Sequence, residues 1–300
     1  MRFENTDELK ARMKLEGTGV WAGQLRYGEP GPIAEAAAEL DELGYSALWI
    51  PDVGGDLLPA IETLLDATAR AVVATGILNV WMHEPAEVAA RRASWSGEWQ
   101  RRALFGLGVS HAPLIDQGNP GRYTKPYSRM VEYLDGLDAA EPPLPSDARI
   151  LAALGPRMLA LARDRTAGVH PYLVPPEHSA RAREIVGPDA LVATEQAVVL
   201  ETDPEKARAI ARNHLAMYLP LPNYWNNLQR LGFDDDDKLE GGSDRIVDGI
   251  VAWGDVDAIK ARVDAHRDAG ADHVCIQVLR ADYDFPRAEW RELAAALIAD

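Results

Sequence analysis

Short apolar runs alternate with segments of three- and four-residue apolar spacing along nearly the whole chain. The runs are Gly19–Ala22, Ser46–Pro51, Val72–Val80, Ala103–Val109, Ile150–Leu154, Gly168–Leu173, Leu191–Leu200 and His273–Leu279. Their cores, such as Leu48-Trp49-Ile50 and Val274-Cys275-Ile276-Gln277-Val278, are near-continuous, as expected of parallel strands covered on both faces. The intervening segments predict helices over Ile33–Leu43, Leu57–Arg70, Ala86–Trp99, Lys125–Leu137, Arg157–Arg165, Glu177–Val186, Pro204–Met217, Asp255–Ala269 and Ala288–Ile298. The first ends at Gly44, a plausible C-cap. Eight strands each followed by helix is the count of a (β/α)8 TIM barrel. A doubly wound open sheet alternates in the same way, but the count and the short connections favour the barrel. One segment breaks the rhythm. Residues 218–242, after strand seven, are too long for a simple connection, and such stretches are usually functional or mobile. They mix Tyr218, Tyr224, Trp225 and Phe233 with prolines and the acidic run Asp234–Asp237, which is expected to be a solvated turn. The segment reads either as extra helices shielding the barrel or as a lid over a site.

Composition narrows the class. The 300 residues carry 31 Lys and Arg against 47 Asp and Glu, a net charge of −16. That balance argues against coating nucleic acid or an anionic membrane, since both reward a basic face. It leaves room for a local basic pocket. One cysteine, Cys275, excludes an internal disulfide and multi-cysteine metal sites. No run approaches the roughly 18–20 apolar residues that span a bilayer. The charged start of the chain lacks a signal-peptide core, so a cytoplasmic protein is expected.

In a barrel the chemistry gathers at the carboxyl ends of the strands. Those ends offer Trp21 and Gln24, Asp52, Asn79, Trp81 and His83, Ser110 and His111, Gly155–Met158, His170 and Tyr172, Glu195 and Gln196, and Gln277 and Arg280. No H-E-x-x-H, G-x-S-x-G or G-x-G-x-x-G motif is present. His83, His111 and His170 come without a carboxylate cluster, so no metal is expected. His178, His214 and His266 fall on predicted helices and are expected at the surface. His273 opens the last strand at the bottom face, and Cys275 reads as a buried small hydrophobe. Gly106 and Gly108 sit inside strand four, where glycine lets a crowded barrel close. Leu154-Gly155-Pro156-Arg157-Met158 is the best anion site: a strand ends, Gly155 permits close approach, Pro156 takes the first helical position, and free N–H groups point out of the helix start. An ordinary strand-to-helix turn would share that local sequence.

Thr75-Gly76-Ile77-Leu78-Asn79-Val80-Trp81 with Pro85-Ala86-Glu87, Leu107-Gly108-Val109-Ser110-His111, Ala152–Leu159, Gly168-Val169-His170-Pro171-Tyr172 and Ala269–Val274 together resemble the luciferase-like monooxygenases. Within that superfamily they are most similar to the deazaflavin (coenzyme F420)-dependent branch of actinobacteria. The resemblance spans residues 1–300 as one domain, with 218–242 as an insertion. It implies a metal-free barrel holding a flavin-type ring over the strand ends, near a bulge in strand three with a non-prolyl cis peptide expected around Asn79-Val80. It assigns Asp52, Asn79, Val80, Gly155, Pro156, Arg157, Met158, His170 and Tyr172 to the cofactor. Trp21, Trp81 and Val53 are expected to wall the substrate pocket. Relatives with a sugar-phosphate substrate place a histidine where Val53 stands and a glutamate where His111 stands, so a different small-molecule substrate is implied. His111 is the candidate catalytic proton group, because imidazole titrates near pH 6.5; its alternative role is a cofactor contact. FMN is the rival cofactor, both ligands presenting a phosphate. An F420 oligoglutamate tail would call for a basic groove, with Arg157, Arg122 and Lys125 at its rim. A non-catalytic cofactor binder and a metal-dependent lyase are the further alternatives. A homodimer is expected by analogy.

Overall fold

The computed structural model describes residue 15 and residues 17–298. Ten strands build the sheet: β1 (Thr18–Trp21), β2 (Ala47–Ile50), β3 (Val72–Thr75), β4 (Leu78–Asn79), β5 (Ala103–Gly108), β6 (Arg149–Leu151), β7 (Gly168–Val169), β8 (Leu191–Leu200), β9 (Ala252–Gly254) and β10 (His273–Val278). All pairings are parallel, and β10 bonds both β8 and β1, which closes the barrel. β3 and β4 are one barrel strand interrupted at Gly76-Ile77. Ala74 pairs with Leu104 and Leu78 with Leu107, so four residues on this strand span three on β5. That is the bulge expected in strand three.

Side-chain alternation divides the apolar residues into two layers. Trp49, Ala74, Leu104, Ile150, Ala193 and Cys275 fill the barrel interior, whereas Leu48, Val73, Phe105, Leu151 and Val274 meet the outer helices. Trp49 is the bulkiest interior group. It stacks on His170 with ring centroids 4.2 Å apart, and its Nε1 donates to His273 Nε2 at 3.2 Å. Glycine is required where strands crowd. A Cβ on Gly106 would strike the Thr75 carbonyl oxygen, and one on Gly108 would come within 2.5 Å of Ile77.

Three expectations need correction. The helix placed over Ala86–Trp99 is two, Pro85–Ala93 and Gly97–Arg102, because Ser96 caps the second by accepting from Trp99 N. β9 is an extra strand, lying on the outer half of β8 after the insertion. His178, His214 and His266 are buried, not superficial. Each belongs to a helix, but on the face packed inward: Ser179 Oγ bridges His266 Nδ1 (2.8 Å) and Thr194 Oγ1 (3.2 Å) beneath the helices. Polar residue type alone misled there, since a neighbouring hydroxyl or amide can satisfy a buried imidazole. The acidic run is mostly exposed, but Asp237 is buried, capping the 3-10 segment Asp235–Gly241 and accepting from Ser243 and Arg245. Among the described residues no helix is long and apolar enough to cross a membrane.

Burial sets the pH dependence of stability. It holds His111, His170, His178 and His214 at about 4, and His266 and His273 at about 3, below the usual 6.5. Between those values and 6.5 the unfolded chain binds more protons, so stability falls as pH drops through this window. Burial pushes Glu195 the other way, up to about 8 from 4.5, so the folded state holds its proton longer and stability falls as pH rises from 4.5 to 8. Several histidines outweigh one glutamate below 6.5, and only Glu195 of these acts above it. The thermal midpoint is therefore expected to peak near pH 6.5, falling steeply toward 4.5 and shallowly toward 8; a midpoint that climbs from 6.5 to 4.5 in calorimetry would refute this.

Candidate active site

A cavity of about 540 Å³ opens at the carboxyl rim of the barrel. Its floor holds Ile77 from the bulge, Gly108 from β5 and His170 from the end of β7. Gly155, Pro156, Arg157 and Met158 form one side, where β6 runs into the helix Pro156–Arg165. The proline at the helix start and the Gly155 cap leave the first turn facing the cavity, and a Cβ on Gly155 would meet nothing within 4 Å. Asn223, Tyr224, Asn226 and Arg230 form the opposite wall. They come from the helix Pro222–Arg230, so part of the 218–242 segment walls the cavity.

The peptide Gly76-Ile77 is cis, three residues before the expected position. Glycine is needed here because a Cβ on Gly76 would strike the Trp21 indole nitrogen and lie 2.9 Å from His170 Nε2. Trp21 Nε1 donates to the Gly76 carbonyl at 3.0 Å. His170 is buried, its Nδ1 lies 2.8 Å from the Ala193 carbonyl, and its Nε2 has no partner. A carbonyl only accepts, so Nδ1 carries the proton and Nε2 the lone pair.

His111 lines the cavity wall, with the Tyr224 ring 4.9 Å away and Asn223 Nδ2 3.4 Å from Nδ1. Burial lowers its pKa to about 4, so the ring is uncharged at neutral pH. Tyr172, also in the lining, donates to Gln277 Oε1 at 2.8 Å and lies 3.1 Å from Tyr218 Oη. Glu195 sits behind this aromatic group with Oε2 accepting from Leu173 N at 3.1 Å and Oε1 unpartnered.

Two basic side chains, Arg157 and Arg230, line the cavity. Arg157 lies over the Tyr127 ring at 4.3 Å, Arg230 lines the wall, and Arg122 and Lys125 flank Tyr123 and Pro126 of the lining. Among the described residues none of these four has a carboxylate within ion-pair distance, although most other arginines do. No three described His, Cys, Asp or Glu side chains are grouped as metal ligands would be.

Residues 16–273 match the family of luciferase-like monooxygenases. The chain belongs to that family. No curated protein shows significant sequence similarity to it. Solved structures share the fold at low identity. An F420-dependent secondary alcohol dehydrogenase in complex with an F420-acetone adduct is 15% identical with a TM-score of 0.73, covering 94% of this chain and 99% of its own. The coenzyme F420-dependent tetrahydromethanopterin reductase from Methanopyrus kandleri is 16% identical with a TM-score of 0.75, covering 94% and 98%. The oxygenating constituent of 3,6-diketocamphane monooxygenase from Pseudomonas putida, in complex with FMN, is 13% identical with a TM-score of 0.67, covering 94% and 97%.

In this luciferase-like barrel, seven of the residues singled out from sequence meet in one cavity: His111, Gly155, Pro156, Arg157, Met158, His170 and Tyr172. Gly108, Ser110 and Leu154 line it too, whereas Asp52, Asn79, Val80, Trp21, Trp81 and Val53 do not. Asp52 is buried beside it, bonding His83 Nε2 at 2.9 Å and accepting from Asn79 N at 3.0 Å. Val80 is buried, its carbonyl taken by Arg129. Trp21 is behind Gly76, and Trp81 donates to the Val109 carbonyl at 2.8 Å. Val53 is 59% exposed and outside the lining. The sequence reading missed Ile77, Tyr123, Tyr127, Asn223, Asn226 and Arg230. The only signal for the last three was the irregular 218–242 segment, in which the sequence marks Tyr224 as one of several aromatics.

Proposed function

We propose that this luciferase-like protein is an oxidoreductase that transfers hydride between coenzyme F420 and a small organic substrate without a metal. The observation that carries the reading is the pair Arg157 and Arg230 in the cavity lining, unpaired with carboxylates among the described residues on a chain of net charge −16, with Arg122 and Lys125 next in sequence to the lining residues Tyr123 and Pro126. Such cations gathered by an acidic protein suit an extended polyanionic arm, and FMN presents a single phosphate where F420 adds an oligoglutamate tail. The residues fit such a ligand. Gly108 and Gly155 keep side-chain bulk out of the floor and the phosphate wall, and the first turn of Pro156–Arg165 offers N–H groups to an anion. The deazaflavin and flavin ligands named for the similar structures support the same class.

The bound deazaflavin would supply or accept the hydride. The protein's own part is to bind, orient and exclude water. Arg157, Arg230 and the helix start would hold the anionic arm, and Tyr172 and Tyr224 would wall out solvent. His111, uncharged at neutral pH, would bond the reacting oxygen of the substrate.

Fluorescence titration with F420 and FMN in parallel tests the assignment. Micromolar binding of F420 and weaker binding of FMN are expected, weakening as salt rises. Arg157→Ala and Arg230→Ala should each raise the F420 Kd about tenfold, the size of one charged contact. Micromolar binding of neither ligand, or FMN binding the tighter, would defeat the reading. Bound F420 with no turnover of any substrate would favour a non-catalytic binder, an alternative raised by the exposed Val53 where relatives with a sugar-phosphate substrate carry a histidine.

A further inference from the structure

His111 has two ring nitrogens, and its neighbours decide which one carries the proton. Asn223 Nδ2 lies 3.0 Å from the Ser110 carbonyl, 3.3 Å from Tyr123 Oη and 3.4 Å from His111 Nδ1. A backbone carbonyl can only accept, so the Asn223 atom facing Ser110 is its NH2 group. Tyr123 donates its own hydrogen to the same carbonyl at 3.2 Å and therefore meets the NH2 as an acceptor. His111 Nδ1 faces this donor group too. An N–H there would point at an N–H, so Nδ1 bears the lone pair. The uncharged ring then has its single proton on Nε2. No described residue bonds Nε2, and the ring lines the cavity. The left-handed backbone at Ser110 (φ 56°) turns that carbonyl and the following histidine toward Asn223 together.

We propose that Asn223 is a positioning residue that holds His111 in the Nε2–H tautomer, so that the site takes a carbonyl/alcohol pair and offers a hydrogen-bond donor to the oxygen on which negative charge develops as hydride moves. The tautomer stands on its own geometry; the substrate class rests on the cofactor reading above. A carbonyl oxygen is a pure acceptor, and a donor aimed at it stabilises the negative charge that grows there. The same donor serves hydride transfer in either direction, and the proton that separates alkoxide from alcohol exchanges with water, since the neutral Nε2–H keeps its own proton and has no free lone pair to accept another. His170 has one, but its Nε2 is closed to solvent against Gly76. The insertion helix thereby gains a chemical role, since it carries the amide that orients the imidazole on the barrel rim.

A two-bond proton–nitrogen NMR correlation of the full-length protein labelled with 15N-histidine, without ligand, tests the tautomer. The His111 signals are those lost in His111→Gln. The Nε2–H pattern at pH 7 supports the proposal, and the Nδ1–H pattern overturns it. Asn223→Asp replaces the donor with an acceptor. It should shift the ring toward Nδ1–H, raise its titration midpoint and lower kcat for F420-linked carbonyl reduction about tenfold, with the F420 Kd changed less than about twofold. If that variant does not fold, the wild-type spectrum alone decides. The pH profile adds a readout that a merely structural role would not move. A neutral donor predicts a flat kcat for reduction between pH 6 and 8, and a fall centred between pH 6 and 7 would mark a charged acid and overturn the proposal. Failure to bind F420 would sink the cofactor reading while leaving the tautomer result intact.

Discussion

His111→Ala is expected to lower kcat/KM for the F420-linked reaction by about 10²–10³-fold, the usual cost of removing one preorganised donor from a reacting oxygen. The loss should fall on kcat, because the bond strengthens as charge develops on that oxygen and contributes little to ground-state binding. The F420 Kd should change less than about threefold, since the anionic arm is assigned to Arg157, Arg230 and the helix start, away from His111. His111→Gln should recover part of the rate, because an amide N–H can replace the imidazole donor. The ring is also a packing element beside Tyr224, so the expected thermal shift of the alanine variant is small but measurable. Wild-type kcat in His111→Ala would remove His111 from the chemistry and leave it as a wall residue.

Trp49→Ala should destabilise the fold by about 3–5 kcal/mol, the range for deleting a buried aromatic side chain. Trp49 is fully buried in the barrel interior, so its loss leaves a void with no collapse route through a closed ring of strands. It also removes the 4.2 Å stack that keeps His170 flat under the cavity floor, and the donor to His273 Nε2. For a chain of this size that corresponds to a fall of roughly 10 °C in the thermal midpoint. Cofactor affinity should fall as well, because His170 would be free to tilt beneath Gly76. Trp49→Phe keeps most of the stack and loses the hydrogen bond, for a cost of about 1–2 kcal/mol. A midpoint unchanged in Trp49→Ala would show that the barrel interior is not packed around this ring. Denaturant melts of the three proteins separate the two contributions.

The periodicity of the chain located all eight barrel strands, because a parallel barrel strand is apolar on both faces and its signal is local. The Gly155–Met158 turn was legible for the same reason, since strand end, glycine and proline stand in one short run. The bulge was expected in strand three but placed too late. The collision that demands glycine is with Trp21, 55 positions away, and no local pattern reports it. The buried histidines on helices were misread because burial depends on which neighbours lie above the residue. Ser179, Gln196 and Asn227 supply the polar partners that make such burial tolerable.

Hydrophobic period and turn chemistry act over a few residues, so the linear chain was enough to specify the architecture and the strand ends from which a site could be built. Its strongly acidic total charge likewise required any basic site to be local. Folding was needed to show which candidates share one cavity, that Arg157 and Arg230 in its lining lack carboxylates among the described residues, and that Asn223 meets His111 across 112 positions of chain. Those are contacts between elements that closure of the barrel brings together, and the burial that keeps His111 uncharged exists only once the insertion helix has packed against the rim.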